Sequence, residues 1–155
     1  MKDIKEVAPG LINSFQPIEG VTTSGQPEAE HFGELASAGY RMVVDLRDPG
    51  ETRDFDEVVA VIMAGMEYVN IPVTPETVGY EDFSQFRELL EDPARRPVLV
   101  HCSSGDRAGG LLLPYLILDE GMAPEEAEEV ASQAGLENEV LEQAALRYVS
   151  LVSTD

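Results

Sequence analysis

Pro97-Val98-Leu99-Val100-His101-Cys102-Ser103-Ser104-Gly105-Asp106-Arg107-Ala108-Gly109-Gly110 is the stretch on which the fold turns. Val98-Leu99-Val100 reads as a buried strand, Ser103-Ser104-Gly105 as a turn, and Leu111 to Leu118 as a helix apolar on all sides, suited to a core. That order sets the chain's only cysteine at a strand end, beneath the first turn of a helix. The positive end of a helix macrodipole and the backbone N–H groups of such a turn both stabilise negative charge, so a thiolate and a bound oxyanion can share this position. Arg107 adds a fixed planar cation suited to bidentate capture of an oxyanion. A cysteine acting only as a small buried hydrophobe would account for none of these neighbours.

Working outward, the chain alternates strand and helix signals. Leu11 to Phe15, Val21 to Ser24, Arg41 to Leu46 and Tyr68 to Ile71 read as strands, the first two separated by a turn at Pro17 and Gly20. Helical spacing of apolar residues recurs from Glu28 to Ala38, over Phe55, Val58, Val59, Ile62, Met63 and Met66, from Phe83 to Leu90, and from Val140 to Val152, while Pro124 opens a further helix. The alternation predicts an α/β fold, a mostly parallel central sheet flanked by helices, with the ligand site at the carboxyl ends of the strands. The loops after Ser24, Leu46 and Ile71 then open on the edge that carries Cys102, which makes Gln26, Arg47, Asp48 and Glu76 its expected neighbours. His31 is expected on a helix surface, and Gly109 and Gly110 signal either close backbone packing or room for a ligand.

Composition bounds the function. At 155 residues and 43% hydrophobic content, residues 1–155 are expected to form one domain. Thirty acidic against ten basic residues, a formal charge of −20, argue against nucleic acid or an anionic membrane as partner. Met1 to Glu6 lack the apolar run of a signal peptide, and no stretch reaches the roughly 20 apolar residues of a membrane span, so a cytoplasmic protein is expected. Two histidines and one cysteine offer no zinc spacing and no patterned Asp loop offers calcium, so neither metal nor other cofactor is implied.

His-Cys-x-x-Gly with a nearby arginine resembles the active-site loop of cysteine-dependent phosphatases. Val21 to Pro27, Val43 to Arg47, Glu67 to Val73 and Val98 to Cys102 resemble successive landmarks of the bacterial beta-lactamase hydrolase-like phosphatase domain, which belongs with the dual-specificity tyrosine phosphatases. The resemblance covers roughly residues 7 to 136. It implies a tyrosine-phosphatase-like fold and a small anionic substrate, a phosphomonoester cleaved through a cysteinyl-phosphate on Cys102. Arg107 and the anion-binding loop of Ser103, Ser104, Gly105, Asp106 and Ala108 would hold the phosphoryl oxygens, with His101, Gln26 and Arg47 in support. In that family an Asp on a separate loop protonates the leaving oxygen; here the loop after Ile71 has none before Asp82, leaving Glu76 and Asp106 as candidates. Asp106 is expected to face solvent or Arg107, since a carboxylate beside the anion opposes it.

Two other readings stand beside this one. Four residues separate Cys102 from Arg107, where the phosphatase signature has five, and that spacing resembles rhodanese sulfurtransferases, in which the cysteine carries a persulfide. Sulfur transfer needs no general acid, because sulfite or a thiolate leaves as an anion. The third reading is a noncatalytic anion-binding module.

Overall fold

The computed structural model describes residues 3–153; Met1, Lys2, Thr154 and Asp155 lie outside the described residues. Strands β1 (Phe15–Ile18), β2 (Val21–Ser24), β3 (Met42–Asp45), β4 (Glu67–Asn70) and β5 (Val98–His101) form one sheet in the order β1-β2-β5-β3-β4. Only β1 runs antiparallel to its neighbour, so the sheet is mostly parallel as the alternation predicts. The helices are α1 (Ile4–Val7), α2 (Ala29–Ser37), α3 (Glu57–Met63), α4 (Tyr80–Glu91), α5 (Asp106–Leu118), α6 (Pro124–Gln133) and α7 (Glu139–Ser153), with a 3₁₀ turn at Pro93–Arg95. No helix among the described residues is long and apolar enough to cross a membrane.

β5 is the central strand and explains its own sequence. Parallel strands covered on both faces read as continuous apolar runs, and alternate side chains serve opposite faces. Val98 and Val100 join the cluster built with α4 to α7, whereas Leu99 joins Phe32, Leu35 and Val61 on the other face. The apolar run of α5 from Leu111 to Leu118 is enclosed by α4, α6 and α7. Its paired glycines serve close packing: a Cβ on Gly109 would lie 2.7 Å from the Ala131 carbonyl oxygen, and one on Gly110 would lie 2.4 Å from the Leu141 side chain.

Three expectations are corrected. The first strand starts at Phe15 instead of Leu11 and carries Pro17 within it, because an edge strand tolerates the missing N–H. His31 is buried: its Nδ1 accepts from the Glu28 N–H at 2.9 Å and its Nε2 lies 3.0 Å from the Pro9 carbonyl, which ties the start of α2 to the chain's first loop. In α3 the apolar stripe Val58, Val59, Ile62 and Met63 faces solvent, and Glu57 and Val61 are the buried residues. Polar partners for Glu57 beneath the sheet edge set the rotation of this short helix against its hydropathy.

Candidate active site

β5 ends at His101 and delivers Cys102, 1% exposed, to the foot of α5. The carbonyls of the following turn are held outward: Ser103 O accepts the Gln26 N–H at 3.0 Å, and Ser104 O accepts Nδ2 of Asn13 at 2.7 Å. In a planar trans peptide the N–H points opposite to the C=O, so the Ser104 and Gly105 amides are turned the other way. The Gly105 N–H donates to Cys102 Sγ at 3.0 Å. Gly105 has φ of 110°, the left-handed region that glycine enters without a Cβ penalty, and it leads into α5. Gly25 permits the approach from the opposite wall, since a Cβ there would sit 2.8 Å from Ser103 O. The turn is thus a nest of amides closed around sulfur at the positive end of a buried helix.

Arg107, in the first turn of α5, is held by two parallel bonds to Glu51, Nη1 to Oε2 at 2.8 Å and Nη2 to Oε1 at 3.0 Å, and its Nη1 also donates to the Val73 carbonyl at 3.2 Å. The Glu51 bond, with the nearby Cys102 sulfur, raises the Arg107 pKa above its ordinary value against the opposing effect of burial. The Arg107 bond in turn draws the Glu51 carboxyl down to about 2, helped by the Asp48 amide and Arg47. Glu51 is therefore ionised at neutral pH, where it orients the arginine and has no proton to give a leaving group. Its distant partner lies 56 residues away, and the only sequence signal was its position four residues after Arg47 in the charged loop following β3.

The sign of the pH effect follows. A carboxyl with a depressed folded pKa contributes its stabilisation fully above the unfolded value of 4.5 and loses it as pH falls towards about 2. In urea titrations, Glu51→Gln is expected to fall below the parent in stability at neutral pH, with the gap closing between pH 4.5 and 2. A gap of constant size across that window would count against the Glu51–Arg107 pair.

Beneath the turn lies a buried polar cluster that hydrophobic periodicity concealed. Asp45 accepts from Arg53 Nη2, from the Tyr68 hydroxyl at 2.7 Å and from the Arg47 N–H at 2.9 Å. Glu57 accepts from Gln26 Nε2 at 2.7 Å, pairs with Arg53 Nε at 3.4 Å and places Oε2 2.5 Å from His101 Nε2. Burial pushes the Glu57 carboxyl up, yet the bonds from His101 and Gln26 and the charge of Arg53 outweigh it and leave it below the ordinary value. Asp45, Glu57 and His101 bring their ligand atoms within 4.8 Å of one another, a spacing that suits a metal ion. The Arg53 guanidinium already lies against both carboxylates and supplies the positive charge there.

Of the residues singled out in the sequence, Cys102, Ser103, Ser104, Gly105 and Arg107 form one turn, and His101, Gln26 and Arg47 brace it from below and beside. Arg47 directs its guanidinium to Gln26, Glu51 and the Thr52 carbonyl, a framework role. Asp48 accepts the Gly50 N–H and shapes the loop that presents Glu51. Asp106 faces neither solvent alone nor Arg107: its Oδ1 accepts the N–H groups of Glu137 at 2.8 Å and Asn138 at 3.2 Å, just before α7. Asp106 thereby fastens α5 to the residues just before α7, and the expectation that it faces Arg107 is corrected. Ala108 is corrected too: its fully buried methyl joins the core, because one helical step of about 100° turns it away from the face of Arg107. Glu76 is exposed on the turn at 75–77, and from the same loop it is Val73 that reaches the arginine. Glu51, Arg53, Glu57 and Tyr68 belong to the site's surroundings and were not read from sequence.

Residues 16–148 match the family described as DSP-PTPase phosphatase fused to NAD+ kinase. The beta-lactamase hydrolase-like protein of Xylella fastidiosa is 30% identical over 123 residues, 77% of this chain and 28% of that protein. The chain thus spans little more than a quarter of the length of the curated relatives it matches. A crystal structure from Shewanella putrefaciens CN-32, described as a phosphatase (DUF442), is 30% identical with a TM-score of 0.80 and covers 96% of this chain and 97% of its own. The core catalytic domain of the PP-IP phosphatase SIW14 from S. cerevisiae shares the fold at 18% identity, with a TM-score of 0.73 and 93% of each chain covered. With a tyrosine-phosphatase-like sheet and its cysteine turn at the end of β5, this chain belongs to the DSP-PTPase phosphatase family.

Proposed function

We propose that the protein is a cysteine-dependent phosphatase acting on small phosphomonoesters. The observation that carries this reading is the Gly105 N–H on Cys102 Sγ at 3.0 Å, at the foot of α5 and beside a fixed arginine. Such donors stabilise both the attacking thiolate and the oxygens of the phosphoryl group. The thiolate forms an S–P bond as the ester P–O bond breaks; water then attacks phosphorus, breaks S–P and releases inorganic phosphate with the thiolate restored. Glu51 is ionised and Asp106 is bonded to amides, which leaves Glu76 or solvent water to protonate the departing oxygen. Aryl esters, whose leaving groups need least protonation, are therefore expected to react faster than alkyl esters. The strongly negative overall charge disfavours polyanionic substrates and nucleic acid. A free catalytic thiol suits the reducing cytoplasm.

The same missing acid, with the four-residue spacing, favours a second reading. The Cys102 thiolate would attack the outer sulfur of thiosulfate, displace sulfite as the S–S bond breaks, and pass its persulfide sulfur to an acceptor such as cyanide.

Mass measurement after brief exposure to an aryl phosphate, and separately to thiosulfate, tests both. A phosphoryl adduct on Cys102, absent in Cys102→Ser, is the expected result. A sulfur adduct that yields thiocyanate with cyanide would replace hydrolysis with sulfur transfer. Neither adduct would leave the anion-binding module.

A further inference from the structure

The peptide groups from Ser103 to Asp106 shape the cysteine turn, and the carbonyl of each has a hydrogen-bond donor. Ser103 O accepts the Gln26 N–H at 3.0 Å, and Gly105 O accepts the Gly109 N–H at 3.1 Å within α5. Both donors are main chain, so the fold itself fixes those two peptides. The peptide between them depends on a side chain: Ser104 O accepts Nδ2 of Asn13, 91 residues away, at 2.7 Å. That same peptide carries the Gly105 N–H that reaches Cys102 Sγ at 3.0 Å. Because N–H and C=O point opposite ways in a trans peptide, the bond that draws the oxygen out aims the N–H in.

Glycine makes such a hold necessary. Gly105, at φ of 110°, enters either sign of φ at little cost, so the backbone alone does not keep this peptide from turning over. Turned over, it would set a carbonyl oxygen against the sulfur and oppose any anion bound there.

Asn13 is itself firmly placed. Among the described residues it is the non-glycine residue with positive φ, 53°, a conformation that asparagine enters more readily than most. On one side Ile12 O accepts the Gly25 N–H at 2.9 Å, and on the other the carbonyl of buried Ser14 accepts from Lys5 Nζ at 3.4 Å. The Asn13 side chain is exposed and contributes nothing to the core, which leaves its bond to the turn as its visible role.

We propose that Asn13 is a positioning residue for the cysteine turn: it fixes the Ser104–Gly105 peptide so that the Gly105 N–H faces the sulfur and the anion bound beside it. This rests on the reading above that the turn holds the reacting phosphoryl group.

Hydrogen exchange followed by NMR compares the full chain with Asn13→Gly, which accepts φ of 53° and loses only the side-chain donor. The Gly105 N–H is expected to exchange at least about tenfold faster in the variant, while the amides of Val100 in β5 and Leu112 in α5 keep the parent's rates. Unchanged exchange at Gly105 would overturn the proposal. Faster exchange shared by β5 and α5 would overturn it too, as the mark of a bond that merely holds the fold. Calorimetric titration with inorganic phosphate adds Asn13→Asp, which keeps the shape and replaces the donor with an acceptor. Both variants are expected to bind phosphate about tenfold more weakly than the parent, and equal affinity in all three would overturn the proposal. A parent that takes up no phosphate would count against the phosphatase reading, and the exchange measurement, which uses no ligand, would still decide the role of Asn13.

Discussion

Cys102→Ser is expected to lower aryl phosphate turnover by at least about 10⁴-fold while leaving anion binding in place. The hydroxyl can accept the Gly105 N–H that now reaches Sγ at 3.0 Å, and the smaller side chain fits the same closed turn. What it lacks is the acidity of a thiol: a serine hydroxyl is a far weaker acid, and its alkoxide is out of reach near neutral pH. Steady-state kinetics with an aryl phosphate, beside calorimetric titration with inorganic phosphate, separate the two properties. Turnover within tenfold of the parent would remove Cys102 as nucleophile. Lost phosphate affinity with the fold intact would show that the sulfur itself, more than the amides and Arg107, holds the anion.

Gly109→Ala is expected to destabilise the fold by about 2–3 kcal/mol, although helix propensity alone would favour alanine by about 1 kcal/mol. The new Cβ would meet the Ala131 carbonyl oxygen at 2.7 Å and the Leu136 N at 2.8 Å, both backbone atoms with no rotamer to move aside. Helices α5 and α6 would have to separate, opening voids in a core otherwise packed at crystal density. The separation would also strain the bonds by which Asp106 holds the amides of Glu137 and Asn138. Urea denaturation reads the loss directly. Unchanged or greater stability would mean that the two backbones can part at little cost. Gly110→Ala meets only the Leu141 side chain, which can rotate, and a smaller loss is expected there.

Comparing residues shows why some of the site could be read in advance. Cys102, the small residues after it and Arg107 announce themselves because an anion turn is local: strand, nest and helix terminus occupy consecutive residues. Glu51 was not legible as Arg107's partner, since a salt bridge spanning 56 residues leaves no trace in spacing. Glu57 was missed for another reason. Periodicity arguments assume that burial follows hydropathy, and in α3 the hydrogen bonds of one carboxylate outweigh four exposed apolar side chains. Asp106 and Ala108 were assigned by position in the turn, but which way a side chain points depends on the helix phase and on neighbours contributed by α6 and α7.

By itself the sequence determined the class of fold and the place of Cys102 between a buried strand and the foot of a buried helix, because these follow from local propensity and from burial of consecutive apolar residues. Tertiary structure alone decided that Glu51 clamps Arg107, that Asp106 fastens α5 to the residues before α7, and that a charged cluster lies under the cysteine turn. Those outcomes depend on the desolvation and pairing of groups far apart in the chain, energies that exist only once the sheet has brought them together.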